Sequence, residues 1–320
     1  MTAAALGGCY YTQAASGQLD LLGKSVPIDE VIAAPETSEE LARKLKLVSR
    51  ARQFAIDELY LPDNDSYRSY ADIGRDYVVW NVFAAPEFSL EPKTWCFPVA
   101  GCVAYRGYFA EDSALKKADR LRSEGYDVFV GGVPAYSTLG RFADPVLSTM
   151  MQWDDADLVA TIFHELAHQF LYVKGDTEFN ESFATAVAEI GLGLWLEDRD
   201  AAEAIDAYLE RRALQQQIAE LVNSARKDLE IVFASALDPA EMRLAKQERL
   251  DELGVEIRAA VEAAGRQPPE WTKAPINNAR IVSIGLYLGR VQEFRDLYEH
   301  CEQDLPCFYE RASYLQPAGS

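Results

Sequence analysis

Residues 161–170 read TIFHELAHQF and carry two of the three histidines in a chain of 320 residues. His164 and His168 stand four apart, with Glu165 directly after the first. Around them, residues 155–175 (DADLVATIFHELAHQFLYVKG) place apolar side chains every three or four positions, which predicts an amphipathic helix stopped at Gly175. Residues four apart on a helix share a face, so the two imidazoles aim at one point. Neutral imidazole nitrogen is a favoured zinc ligand, and a catalytic zinc takes three protein ligands and leaves one place for water. Glu165 falls on an adjacent part of that face, where it reaches the water rather than the metal. The types and spacing form the H-E-x-x-H pattern. Zinc brings the pKa of its water to about 7, and a neighbouring carboxylate takes the proton as the water attacks a carbonyl.

A third ligand is within sequence reach. A second helix is predicted from Thr177 through EFNESFATAVAEIGLGLWLE, with Glu181 near its start. A helix–turn–helix of this length folds back and turns Glu181 towards the histidines. Asp176 and Glu178 also lie at that helix start, where the helix dipole favours acidic residues in any case.

HELAHQ (164–169) followed by NESFATAV (180–187) resembles the gluzincin aminopeptidases, whose pattern is HELAHQ, a connection, then NEGFA. The resemblance implies a zincin-like core, one Zn²⁺ held by His164, His168 and Glu181, Glu165 as general base and a peptide as substrate. Thr185, one turn after Glu181, is implied as the partner that orients a ligand imidazole. Over more of the chain, including residues 66–109 and 131–140, the sequence resembles bacterial lipoproteins described as predicted aminopeptidases. Compared with the gluzincins, the connection is shorter and no G-x-M-E-N stretch exists. Their glutamate seven residues after the metal glutamate is Ala188 here, with Glu189 one place later.

Peptide hydrolysis passes through a tetrahedral oxyanion, which a Tyr or His donor stabilises besides the metal. In gluzincins that donor follows the third ligand, which points to Tyr287 in APINNARIVSIGLYLGR (274–290); Tyr105, Tyr108 and Tyr136 are rivals. Asn277 and Asn278, near the start of that helix, are candidates to bind substrate backbone. GGVPAY (131–136) precedes the metal helix, and Gly131, Gly132 and Pro134 suit an edge strand that pairs with an extended substrate, with Tyr136 beside them.

Outward from these helices the chain reads as α+β and mostly helical. Residues 1–27 look like an N-terminal tether, and 28–320 like a peptidase domain. Residues 28–62 are predicted helical, with a capping pattern in TSEE (37–40). Residues 65–140 hold three or four strands of a small, mostly antiparallel sheet, with one helix between the last two. Residues 144–197 form the metal-binding helices, 200–265 a long inserted helical hairpin, and 274–315 the C-terminal helices. The hairpin is either a coiled-coil arm with an unknown partner or two helices packed on the body.

Acidic residues outnumber basic ones 51 to 31, for a formal charge of -20. That charge argues against nucleic acid and anionic membrane as direct partners. Leu6-Gly7-Gly8-Cys9 resembles a lipobox, which makes Cys9 a candidate lipidation site and implies a periplasmic, lipid-anchored envelope protein. The other cysteines fall in two pairs, Cys96 with Cys102 and Cys301 with Cys307. Export favours disulfides within each pair, whereas a reducing cytoplasm leaves four thiols.

Overall fold

The computed structural model describes residues 5–97, 101–197, 202–285 and 290–315, with the side chains of 5–9, 11, 202–205 and 270 outside the description. It is α+β and predominantly helical, with small sheets. The span expected to be a tether begins instead with a helix, α1 (Ala5–Gly23). The Tyr10 ring meets Phe97 and Tyr108 at centroid distances of 5.5 and 5.7 Å, and Gln13 Oε1 accepts the Phe109 N–H at 3.1 Å. Leu21 is buried, so this segment is docked at Tyr10, Gln13 and Leu21.

Strand β1 (Ser25–Pro27) leads into α2 (Ile28–Ala33) and α3 (Glu39–Asp57). One helix was expected here. Pro35 splits it, because proline holds its predecessor in extended conformation and donates no N–H. The helix restarts at Ser38, whose hydroxyl accepts the Leu41 N–H at 3.2 Å. There follow β2 (Ser69–Ala71), β3 (Val79–Pro86), β4 (Trp95–Phe97), β5 (Gly101–Val103), β6 (Tyr105–Tyr108), α4 (Glu111–Ser123), β7 (Tyr126–Val133) and β8 (Val146–Leu147).

Strand β3 is central in the order β6-β3-β7 and antiparallel to both neighbours. A strand's side chains alternate between faces. Val82, Ala84, Tyr108 and Val128 therefore bury against Ala114, Ala118 and Leu121 of α4. Val79, Asn81, Tyr105, Gly107 and Val133 face the other way, into a cavity. A second small sheet has the order β1-β2-β8, and β4 pairs with β5 so that Cys96 lies opposite Cys102, disulfide-bonded to it.

The rest is helical: α5 (Asp155–Phe170), α6 (Thr177–Glu197), α7 (Ala202–Phe233), α8 (Pro239–Ala263), α9 (Asn278–Gly285), α10 (Val291–His300) and α11 (Leu305–Tyr314). The main core joins α3, α5, α6, α10 and α11, and Phe163, Phe183, Phe294 and Phe308 are each 0% exposed in it. Complete burial of one such ring contributes about 1.5–3 kcal/mol. Gly191 lets α6 lie close to α5: a Cβ there would meet Leu59 Cδ1 at 2.5 Å and Phe163 Cδ2 at 2.9 Å. A second disulfide, Cys301–Cys307, joins the end of α10 to α11.

Helices α7 and α8 form a hairpin with its own core of Val222, Ala225, Leu229, Leu250, Leu253 and Ile257, closed by Ile276 and Ile281. Asp238 and Glu241 make a capping box at the start of α8. Of the two expectations for this stretch, the packed one describes it. Lys246 Nζ on α8 donates to Asp127 Oδ2 at 2.6 Å and to Glu87 O at 2.8 Å, which ties the hairpin to the sheet. Among the described residues no helix is long and apolar enough to cross a membrane.

Candidate metal centre

Helix α5 ends at Phe170, short of Gly175, because Leu171 turns to extended conformation (φ -138, ψ 122). Asn180 braces the connection: its Oδ1 accepts the Val173 N–H at 2.7 Å and its Nδ2 donates to Val173 O at 2.8 Å. Asp176 Oδ1 accepts the Phe179 N–H at 2.9 Å and opens α6. The chain then runs back along α5, and the residue after Asn180 is Glu181.

Three donor atoms converge there. His164 Nε2 lies 3.1 Å from His168 Nε2, and Glu181 Oε2 lies 3.4 Å from the first and 3.7 Å from the second. Donors about 2.05 Å from one tetrahedral ion stand about 3.3 Å apart. The three observed edges straddle that value, so one small cation fits between these atoms. Burial raises the Glu181 pKa, but the two imidazoles beside it lower it further, and the carboxyl rests well below the usual carboxylate range. Burial lowers the His168 pKa, the Glu181 carboxylate raises it, and the balance is upward. The donor set thus joins a firmly ionised carboxylate to two imidazoles, a combination that suits a divalent ion.

The triad opens into a cavity of about 570 Å³ between the β6-β3-β7 sheet and helices α5, α6 and α7. Glu165 lines it beside His164, as do Tyr105, Tyr136 and Thr185. Thr185 does not orient His168: the Nδ1 of that imidazole is buried without a hydrogen-bond partner. Gly132 does not face the cavity. The pleat turns it to the opposite side, opposite Trp80, where a Cβ would meet the Tyr77 ring at 2.4 Å. Tyr108 is directed to the same far side, against α4.

Asn277 and Asn278 do structural work rather than bind substrate. Asn277 Oδ1 accepts the Arg280 N–H at 3.0 Å as the N-cap of α9, and its Nδ2 donates to Val128 O at 3.1 Å. Asn278 is 0% exposed and donates to the carbonyls of Pro86, Glu87 and Ser89. Tyr287 lies outside the described residues, and the Cys9 side chain lies outside the described side chains.

The structure adds Asp157, Thr161 and Tyr172, which the sequence did not single out. Asp157, Thr161 and His164 follow one face of α5 at helical spacing, and all line the cavity; the spacing was readable, but nothing marked Asp157 as special. Tyr172 enters from the extended link after α5. Glu189 is held by Arg212 and by Arg295, whose Nη2 is 2.6 Å away, so it is not free to receive a substrate amino group.

Asp144 lies near Glu165. It is 1% exposed and accepts from Thr138 N at 2.7 Å and Thr138 Oγ1 at 2.8 Å. Burial pushes its carboxyl up to about 6; the Thr138 hydrogen bonds oppose this and the Glu165 charge adds to it. An unfolded Asp titrates near 3.9, so the folded state binds this proton more tightly. The associated stability is complete below about pH 4 and is lost as pH rises through about 6, by roughly 3 kcal/mol at most. Asp144→Asn is expected to flatten this part of the pH profile. Urea midpoints of both proteins from pH 4 to 7 test it: equal slopes would rule out the linkage.

In comparisons with known proteins, residues 9–319 match the profile of a family described as "Putative aminopeptidase". No curated protein and no solved structure matches the chain.

Proposed function

The chain belongs to that aminopeptidase family, and from this premise we propose that it is a zinc metallopeptidase of the gluzincin type, with a zincin-like core and an amino-terminal mode of cleavage. The observation that carries the reading is the set of edges among His164 Nε2, His168 Nε2 and Glu181 Oε2, 3.1, 3.4 and 3.7 Å, with Glu165 lining the same cavity. The metal, when bound, supplies Lewis acidity to the substrate carbonyl and to water. Glu165 takes the proton from the attacking water and delivers it to the leaving amine. Tyr105, Tyr136 and Tyr172 reach the cavity and are the described candidates to donate a hydrogen bond to the developing oxyanion. Tyr10, Phe97, Tyr105, Phe109 and Tyr136 give the sheet side an aromatic wall that suits an apolar substrate side chain. The bonded pairs Cys96–Cys102 and Cys301–Cys307 support an oxidising compartment, and the lipobox resemblance at Cys9 supports a lipid anchor in the periplasm.

The test is hydrolysis of an aminoacyl reporter and of its N-blocked form by protein of known metal content. The expected result is about one zinc per chain, preference for the free amino group, loss on chelation and recovery on adding zinc. Equal cleavage of the blocked form would make it an endopeptidase. Zinc retained with neither reporter cleaved would leave a scaffold that uses the fold without the chemistry.

A further inference from the structure

The first turns of α7 bring Tyr208, Arg211 and Arg212 to the cavity wall, beside the N-terminal half of α5 and the C-terminal half of α6. Arg212 and Arg295 share Glu189, two cations on one anion. Arg211 is held loosely. Its nearest acidic atoms are Asp157 Oδ1 at 3.3 Å and Asp154 Oδ2 at 3.5 Å, on side chains that are 43% and 75% exposed. Such solvated pairs are weak. The Arg211 side chain is itself 17% exposed, and its Nε is buried without a hydrogen-bond partner. A guanidinium offers five N–H donors in a planar fork that matches a carboxylate. On this stretch of the lining Arg211 and Arg212 are matched by Asp157 and Glu189, and the Arg211 guanidinium has N–H groups beyond its two contacts with Asp154 and Asp157.

Resting on the peptidase reading, we infer that Arg211 receives the C-terminal carboxylate of a short peptide, so that the preferred substrates carry a free C-terminus close to the scissile bond. The spacing along α5 sets the length. Asp157, which meets Arg211, precedes His164 by seven residues, two helical turns or about 10.5 Å. After the guanidinium–carboxylate contact of about 3 Å, about 7 Å remains, which two extended residues span at about 3.5 Å each. One residue before the scissile bond and two beyond it make a tripeptide.

The experiment compares kcat/KM of the metal-loaded full chain for a tripeptide acid, the same tripeptide as its C-terminal amide, and a hexapeptide acid. The tripeptide acid is expected to exceed the amide by about 10- to 100-fold, the scale of a charge-assisted bidentate contact, and to exceed the hexapeptide. Arg211→Gln should bring the acid-to-amide ratio close to one, and Arg211→Lys, which keeps the charge but not the fork, should keep part of it. An arginine that only fixes α7 against α5 would leave that ratio unmoved by either substitution. A wild type that cleaves acid and amide equally well overturns the role of Arg211 and leaves the peptidase reading standing. A metal-loaded wild type that cleaves none of the three overturns both.

Discussion

Glu165→Gln is expected to bind metal at the wild-type stoichiometry and to lose kcat by about 10²- to 10⁴-fold, the usual contribution of a positioned general base. The carboxamide has the size of the carboxylate and stays on the same turn of α5, so the helix and its packing are undisturbed. Glu165 is also absent from the three converging donors, which are His164, His168 and Glu181. What the substitution removes is the ability to accept a proton. Bound metal, melting temperature and kcat measured on the same preparation separate these effects. A variant within a few-fold of wild-type kcat would show that the proton goes elsewhere. A variant that loses the metal would show that Glu165 is a ligand.

Glu181→Ala should act through the metal. It removes the only charged donor of the triad and leaves two imidazoles whose Nε2 atoms are 3.1 Å apart. Loss of an outer-shell partner already costs about 10- to 100-fold in metal affinity, so loss of a ligand is expected to exceed about 100-fold. Thermal melting with and without added zinc reads this directly. An ion at 100 times its Kd stabilises the folded state by about 2.7 kcal/mol. The wild type should melt later with zinc, and the variant should show no shift at the same concentration. Equal shifts in the two proteins would remove Glu181 from the site.

The sequence marked α5 and its paired histidines because two constraints coincided there. An apolar period of three to four marked α5, and two scarce histidines fell on one face of it. Glu181 was readable from its order after His168 and its NESFA context. The brace that aims it, Asn180 on both backbone groups of Val173, had no visible signal, because it depends on where α5 stops. Tyr108 was counted among the oxyanion candidates although it points away from the cavity, for a different reason. Alternation within a strand is legible, but which face meets the cavity depends on the pairing of β3 with β6 and β7, which are distant in sequence. Asn277 had a local explanation, since asparagine is a favoured N-cap, whereas Asn278 is held by the carbonyls of Pro86, Glu87 and Ser89, far away in sequence. Arg211 reaches the cavity only because of how the hairpin docks, and no local pattern encodes that. The helix α1 lies in a run of small residues without clear periodicity, and packing against Phe97 and Tyr108 accompanies it.

Anomalous diffraction at the zinc edge, from crystals of the metal-loaded chain, bears most directly on the centre itself. One peak is expected at about 2.0–2.2 Å from His164 Nε2, His168 Nε2 and a Glu181 carboxylate oxygen. A peak elsewhere, or no peak between these three side chains in protein saturated with zinc, would contradict it.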